Sequence, residues 1–337
     1  MHKGVIDCDQ TVIGMNPFSE ALRSKIVSLA EDGVMIGTSS WKYPGWCGQI
    51  YDERRYLTHN KFSNAKFERK CLSEYAKTFS TVCVDAGYYK FPTQKYLEEL
   101  CAQVPADFLF SFKVTDFITL KQFPNQPRHG SHAGKPNENF LNADLFRSMF
   151  LRPCESIREH VGMLMFEFSQ FYERDFARGR DFVEALDNFF GKLPTDWQYG
   201  VEIRNKNFLQ EEYFSVLSKH NVAHVFNSWT RMPSVAEQLA MEGSMSTDFT
   251  AARLLLTPGR TYTGAVESFS PYKEIKEPDQ DVRAAAKQLI KTAKTMTANK
   301  MNKSDKDSKP LKKRSFVYVN NRLEGNALQT ISAILES

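Results

Sequence analysis

The chain has 337 residues, 42% hydrophobic and 13% aromatic, enough to bury a sizeable core, with no apolar run long enough to cross a bilayer. Its 44 basic and 40 acidic residues leave a formal charge of +4, too small to make nucleic acid or an anionic membrane an obligatory partner. The six cysteines (Cys8, Cys47, Cys71, Cys83, Cys101, Cys154) are scattered without a C-x-x-C pair, and the first residues show no basic region followed by an apolar one, while Asp7, Asp9 and Glu20 argue against a transit peptide. Reduced thiols and a cytoplasmic location are expected.

Residues 1 to about 17 lack a period and read as a mobile extension. A short helix follows from Phe18 to Ala30, with Ala21, Leu22, Ile26 and Leu29 on one face and Ser19 as a cap. Met35 opens an apolar strand that turns polar at Gly37–Ser40 and leads into a loop carrying Trp41, Tyr43, Trp46 and Tyr51. From there strand-like and helix-like segments alternate. Strands are expected at 81–86, 108–114, 162–168, 199–205, 222–228, 251–257 and 315–321, and helices at 67–79, 93–104, 144–161 with an interruption near Pro153, 180–193, 210–220, 234–242, 281–300 and 326–336. About eight strand-helix units, with no Gly-rich phosphate loop after any strand, point to an α/β fold of the TIM-type (β/α)8 barrel class. The division is residues 1–33 as N-terminal extension and 34–337 as one barrel domain.

Three connections are long. Leu120–Asn142 and Pro258–Gln280 follow strands, on the face where barrel active sites are built. Asn302–Arg314, rich in lysine, lies on the opposite face and reads as a solvated loop, with nucleic-acid contact as the weaker alternative.

Alternation divides each strand into two faces. Phe110 and Phe112 oppose Ser111 and Lys113; Val82 and Val84 oppose Cys83 and Asp85; Leu164, Phe166 and Phe168 oppose Glu167; Val201 and Ile203 oppose Glu202 and Arg204; Arg253 also points inward. A dry, unpaired ion costs several kcal/mol, so each charge must meet an opposite charge, a ligand or water. The bland reading is a self-neutralising network that fills the barrel. The functional reading is a polar pocket in which Arg204, Arg253 and Lys113 meet an anionic group, and Glu202, Lys113 or Asp85 serves acid/base chemistry. Ser39, Trp41, Tyr43, Trp46, Glu167, Asn320 and Asn321 complete the candidate ligand-binding set.

Weaker signals follow. His129-x-x-His132 lacks a matched carboxylate pattern and reads as solvated, so no metal site is assigned. Cys47 is a reactive thiol only if a cation lowers its pKa. Ser39 and Ser40 have no triad partners, and the Asn320–Asn321 pair serves a ligand or caps the final helix.

Gly37-Thr-Ser-Ser-Trp-Lys-Tyr-Pro-Gly-Trp46, Phe110-Ser-Phe-Lys113, Val201-Glu-Ile-Arg204 and Tyr318-Val-Asn-Asn321, followed by Gly325 and Ala327, resemble in order the YecE-like family, domain of unknown function 72. The resemblance implies a TIM-type barrel and brings no established reaction or cofactor. The chain departs from the family pattern where Cys83-Val84-Asp85 replaces Glu-x-Asn, Thr119-Leu120 replaces Thr-His, Glu167 replaces glutamine, Phe208 replaces tryptophan, and Arg253 stands without the usual His and Gly. The expected function is binding of a small anionic or phosphate-bearing ligand at the C-terminal face, with no membrane partner. The alternative is a non-catalytic binding or adaptor module, or a nucleic-acid-associated protein, derived from an enzyme fold.

Overall fold

The computed structural model describes residues 16–301 and 313–336. Eight parallel strands close into one barrel: β1 (Val34–Thr38), β2 (Thr81–Val84), β3 (Leu109–Lys113), β4 (Val161–Phe168), β5 (Tyr199–Ile203), β6 (Ala223–Asn227), β7 (Ala251–Leu254) and β8 (Ser315–Val319). Each is hydrogen-bonded to its sequence neighbour, and β8 returns to β1. Helices lie between the strands, among them Asn64–Tyr75, Gln94–Cys101, Gly179–Phe190, Glu211–Lys219, Val235–Ala240, Gln280–Met301 and Ala327–Ile334. This is the TIM-type architecture that the strand-helix alternation implies.

The alternation inside the strands separates two apolar compartments. Phe110, Phe112, Phe166, Phe168, Val201 and Ile203 belong to the large core between strands and helices. Met35, Cys83, Met163, Met165, Val225, Phe316 and Tyr318 form a second cluster inside the barrel. A bulge phases β4 correctly: the register with β3 shifts between Phe110 and Ser111, so one extra residue, Gly162, enters β4. A Cβ at Gly162 would lie 2.6 Å from the Phe316 ring, so the bulge needs a glycine there. Beyond it Met163, Met165 and Glu167 share the inner face.

The barrel is not stitched evenly. β1 pairs with β8 over five residues, from Val34↔Ser315 to Thr38↔Val319, but meets β2 only at Thr38↔Val82. The Tyr75 hydroxyl splices this junction, accepting from the Thr38 N–H (3.2 Å) and donating to the Thr81 carbonyl (3.0 Å).

Several expectations are revised. The first helix runs Pro17–Glu31, and its cap is Asn16, whose Oδ1 accepts from the Phe18 N–H at 2.9 Å. Ser19 is buried instead, 2.7 Å from the Thr78 hydroxyl. Proline favours the first helical position, which puts the cap at 16. The connection 258–280 is no plain loop but carries the helix Tyr262–Phe269, capped by Thr261. Only Ala265 and Phe269 are buried on it, too thin a stripe to register as a period. The expected helix at 144–161 is an α-turn, a π-turn Arg147–Leu151 and a second α-turn Arg152–Glu155 around Pro153. The extension at 1–15 and segment 302–312 lie outside the described residues.

Candidate functional site

Every inward charge named from alternation arrives at the C-terminal end of the barrel. Glu167 and Glu202 are register partners on adjacent strands, so their carboxylates are neighbours on one face. Two carboxylates placed so are mutually destabilising unless cations intervene. Arg253, on β7 two strands round from Glu202, intervenes: its Nη1 donates to Glu167 Oε2 at 2.8 Å and to Glu202 Oε2 at 2.7 Å. Its Nη2 reaches Asp85 Oδ1 at 3.3 Å. Glu167 Oε2 also receives Lys113 Nζ at 2.7 Å and Arg204 Nη2 at 3.0 Å, while Glu202 Oε1 takes Arg204 Nε at 3.3 Å and Nη2 at 3.2 Å.

The network balances, with Lys113, Arg204 and Arg253 against Asp85, Glu167 and Glu202. Burial alone would raise the Glu167 pKa, but Arg204, Lys113 and Arg253 more than offset it and hold the carboxylate far below its usual range. Burial alone would lower the Arg253 pKa; Glu202, Asp85, Cys83 and Glu167 reverse the effect and raise it well above the ordinary value. Two of the sequence's departures from the family pattern, Asp85 and Glu167, thus contact the same guanidinium.

Exposure grades the members. The side chains of Glu202, Arg253 and Glu167 are 0%, 3% and 4% exposed, Lys113 and Arg204 10% and 14%, and Asp85 38%. Glu202 therefore holds arginines rather than meeting solvent, and a ligand entering from the mouth reaches Asp85, Arg204 and Lys113 first. Aromatic faces fix the two cations: Arg204 Cζ lies 3.8 Å from the Trp229 ring centre and Lys113 Nζ 3.6 Å from that of Tyr88. Burial, reinforced by Glu167, pushes the Tyr88 phenol up to about 12.

The first loop is placed differently from expectation. Trp46 has no exposed surface; its Nε1 donates to Asn321 Oδ1 at 3.3 Å, and Trp41 is also buried. Neither walls an open pocket. Asn321 Oδ1 additionally accepts from the Ala327 N–H at 2.7 Å, although the cap of the final helix is Asn326. Asn320 Oδ1 accepts from the Arg322 N–H at 3.0 Å, so this pair shapes the turn after β8. The Ser39 hydroxyl is buried without a partner among the described residues. Tyr43 is the half-buried member of the loop; burial raises its pKa to about 12, the charge of Arg322 opposing and that of Asp85 adding to the rise.

His129 is not solvated. It is buried, its ring 5.2 Å from Phe123, and His132 packs 5.6 Å from Phe117. Cys47 is not activated: burial, then Glu53, Glu74 and Asp52, push its thiol up to about 11 against the smaller opposing charge of Lys273.

Sequence reasoning missed Tyr88, Trp229, Asp116, Arg128 and Arg322 at the mouth. Asp116 Oδ2 takes Arg128 Nη1 at 3.2 Å, and burial outweighs that arginine to raise its pKa. These residues come from loops, where no alternation marks a face. An isolated aromatic or arginine in a loop carries no signal of what it touches.

Comparison with curated proteins gives no match. Among solved structures, a DUF72 family protein from Thermotoga maritima superposes with a TM-score of 0.54 at 18% identity, covering 90% of this chain and 99% of that one. One from Enterococcus faecalis gives 0.54 at 16% identity, covering 89% and 94%. These likenesses bear on the fold, whose barrel they share. The family model described as "Protein of unknown function DUF72" matches residues 35–337, nearly the whole chain, and the chain therefore belongs to the DUF72 family.

Proposed function

We propose that the mouth of the barrel binds a small ligand bearing an anionic group, such as a phosphate, through Arg204 and Lys113. The observation that carries the reading is that these two cations are the partly exposed ones of the network, each held against an aromatic face. Arg204 meets its carboxylates through Nε and Nη2, so Nη1 is uncommitted among the described residues. A ligand oxygen can join that edge without breaking an ion pair, and a guanidinium suits phosphate and carboxylate geometry. Asp85, the exposed carboxylate, is the acid/base candidate that a ligand reaches, while enclosed Glu202 orients Arg204 and Arg253.

A thermal-shift screen of phosphate- and carboxylate-bearing compounds, repeated on Lys113→Ala and Arg204→Ala, tests the reading. A stabilising compound whose affinity falls in both variants is expected. If both variants lose stability while every compound's affinity is unchanged, the pocket reading is abandoned.

A second reading has its own support. Three carboxylates against three cations leave no net charge to attract an anion, which favours a network that only fills and locks the barrel. The same screen separates the two readings.

A further inference from the structure

Arg322 differs from four other arginines at this end of the barrel. Arg128 is paired with Asp116, Arg260 with Glu277, and Arg204 and Arg253 with the central carboxylates. Among the described residues no carboxylate forms an ion pair with Arg322, and its Nε, like those of Arg253 and Arg260, is buried without an acceptor. Leaving a charged donor unsatisfied costs more than leaving a neutral one, so such an arrangement calls for an acceptor from outside the chain.

The guanidinium is nonetheless held in place. Its Cζ lies 4.4 Å from the ring centre of Tyr262, which is half exposed. The turn that carries it is pinned by Asn320, which accepts the Arg322 N–H, and by Gly325, at φ 111°, where a Cβ would stand 2.6 Å from the Glu274 carbonyl oxygen. Tyr272 closes the other side, 5.5 Å from Tyr43, in a positive-φ conformation (67°) that a bulky residue rarely adopts. Its carbonyl accepts from Asn326 Nδ2 at 3.0 Å, and its N–H donates to Phe269 at 2.8 Å. Arg322 follows β8 and Asp85 follows β2, the two strands that flank β1, so the cation and the exposed carboxylate lie on one side of the mouth around the loop of Tyr43, whose phenol feels both charges.

We infer that Arg322, with Tyr262 and Tyr272, is an anion anchor on the rim of the mouth, and that its ligand is a phosphorylated polyol whose phosphate meets Arg322 and whose hydroxyls donate to Asp85. A planar guanidinium backed by an aromatic face presents its donor edge to phosphate, and a carboxylate accepts from hydroxyl groups. The inference rests on the reading that the mouth binds an anion, and adds to Arg204 and Lys113 a cation with no carboxylate to share.

Isothermal titration of the full chain with glycerol phosphate, and with glycerol as the uncharged control, tests it. The variants are Arg322→Ala, Arg322→Lys, Asp85→Asn and Arg204→Ala, each checked for folding by circular dichroism. Expected are binding of glycerol phosphate but not glycerol, a roughly ten- to hundredfold loss in Arg322→Ala, a smaller loss in Arg322→Lys, and weakening in Asp85→Asn. If Arg204→Ala loses binding while both Arg322 variants keep it, the rim anchor is overturned and the central reading stands. If Asp85→Asn binds as tightly as the parent, the polyol assignment is overturned. Absence of binding to the parent protein at millimolar glycerol phosphate overturns the rim anchor for a phosphorylated polyol, while the reading of the central cations is decided by the compound screen on Lys113→Ala and Arg204→Ala.

Discussion

Two arginine environments at the same end of the barrel differ in kind. At the centre, Arg253 is enclosed and spends three contacts on three carboxylates. At the rim, Arg322 lies on a tyrosine, with no carboxylate partner among the described residues. Burial explains the difference, because an enclosed ion must bring its own counter-charge while one at the edge can leave that place for a ligand. The enclosed charge of Arg253, Glu167 and Glu202 is therefore expected to bear mainly on stability, and the charge of Arg322, under the inference above, on recognition.

The sharpest way to break that comparison is Glu167→Ala. It strips three cations of a shared partner and is expected to cost about 3–5 kcal/mol in urea unfolding, as removal of one partner from a buried pair does. A cost below about 1 kcal/mol would end the claim that the centre is structural.

Acid should then expose a second buried group. His224 in β6 lies 3.1 Å from the Tyr213 hydroxyl and 3.2 Å from Gln238 Oε1, and burial pulls its pKa down from 6.5 to about 4. The folded value lies below the unfolded one, so the unfolded chain takes the proton first. Stability is complete above pH 6.5 and falls by roughly 3 kcal/mol as the pH drops toward 4. Below that, protonation of Glu167 in the unfolded chain, whose folded pKa is depressed, continues the decline. His224→Gln, compared with the parent between pH 6.5 and 4, should remove the first part of the slope; an unchanged slope would assign it to another group.

Gly45→Ala probes the scaffold of the rim. A Cβ there would stand 1.9 Å from the Pro271 carbonyl oxygen, next to Tyr272. Overpacking of this kind costs about 1–3 kcal/mol, measured by the same unfolding curves, and should also weaken any ligand held by Arg322. The smallest effect belongs to Arg322→Ala itself, which should change stability by no more than about 0.5 kcal/mol. A loss comparable to that of Glu167→Ala would place Arg322 with the structural charges.

Much of the centre was legible because strands impose a period of two. Once Phe110, Phe112, Val201 and Ile203 were assigned to the helix side, Lys113, Glu202 and Arg204 had to point inward, and the ion pairs followed from the cost of dry charge. The rim had no such rule. Trp46 reads in sequence like a pocket wall, yet it lies under the loop because Gly45 lets the 271–272 backbone cover it and Asn321 accepts its indole N–H. Arg322 and Tyr262 lie 60 positions apart in the sequence, and nothing local announces that their side chains stack. The cap at Asn16 escaped for a smaller reason: Ser19 and Asn16 both suit the role, and only the position of Pro17 separates them.

The single pair joining β1 to β2 makes the barrel a sheet with a clasp. Where β1 shares five residue pairs with β8, and β2 shares four with β3, parting β1 from β2 sacrifices the least backbone bonding on either side. The first stretch of chain to let go should therefore swing out still attached to the last strand, turning a closed cylinder into an open sheet with Thr38 and Val82 at its two edges. The Tyr75 hydroxyl is the pin of that clasp. Tyr75→Phe should speed amide exchange at residues 38 and 82–84 ahead of the rest of the barrel, with the charged centre losing its enclosure at the same moment.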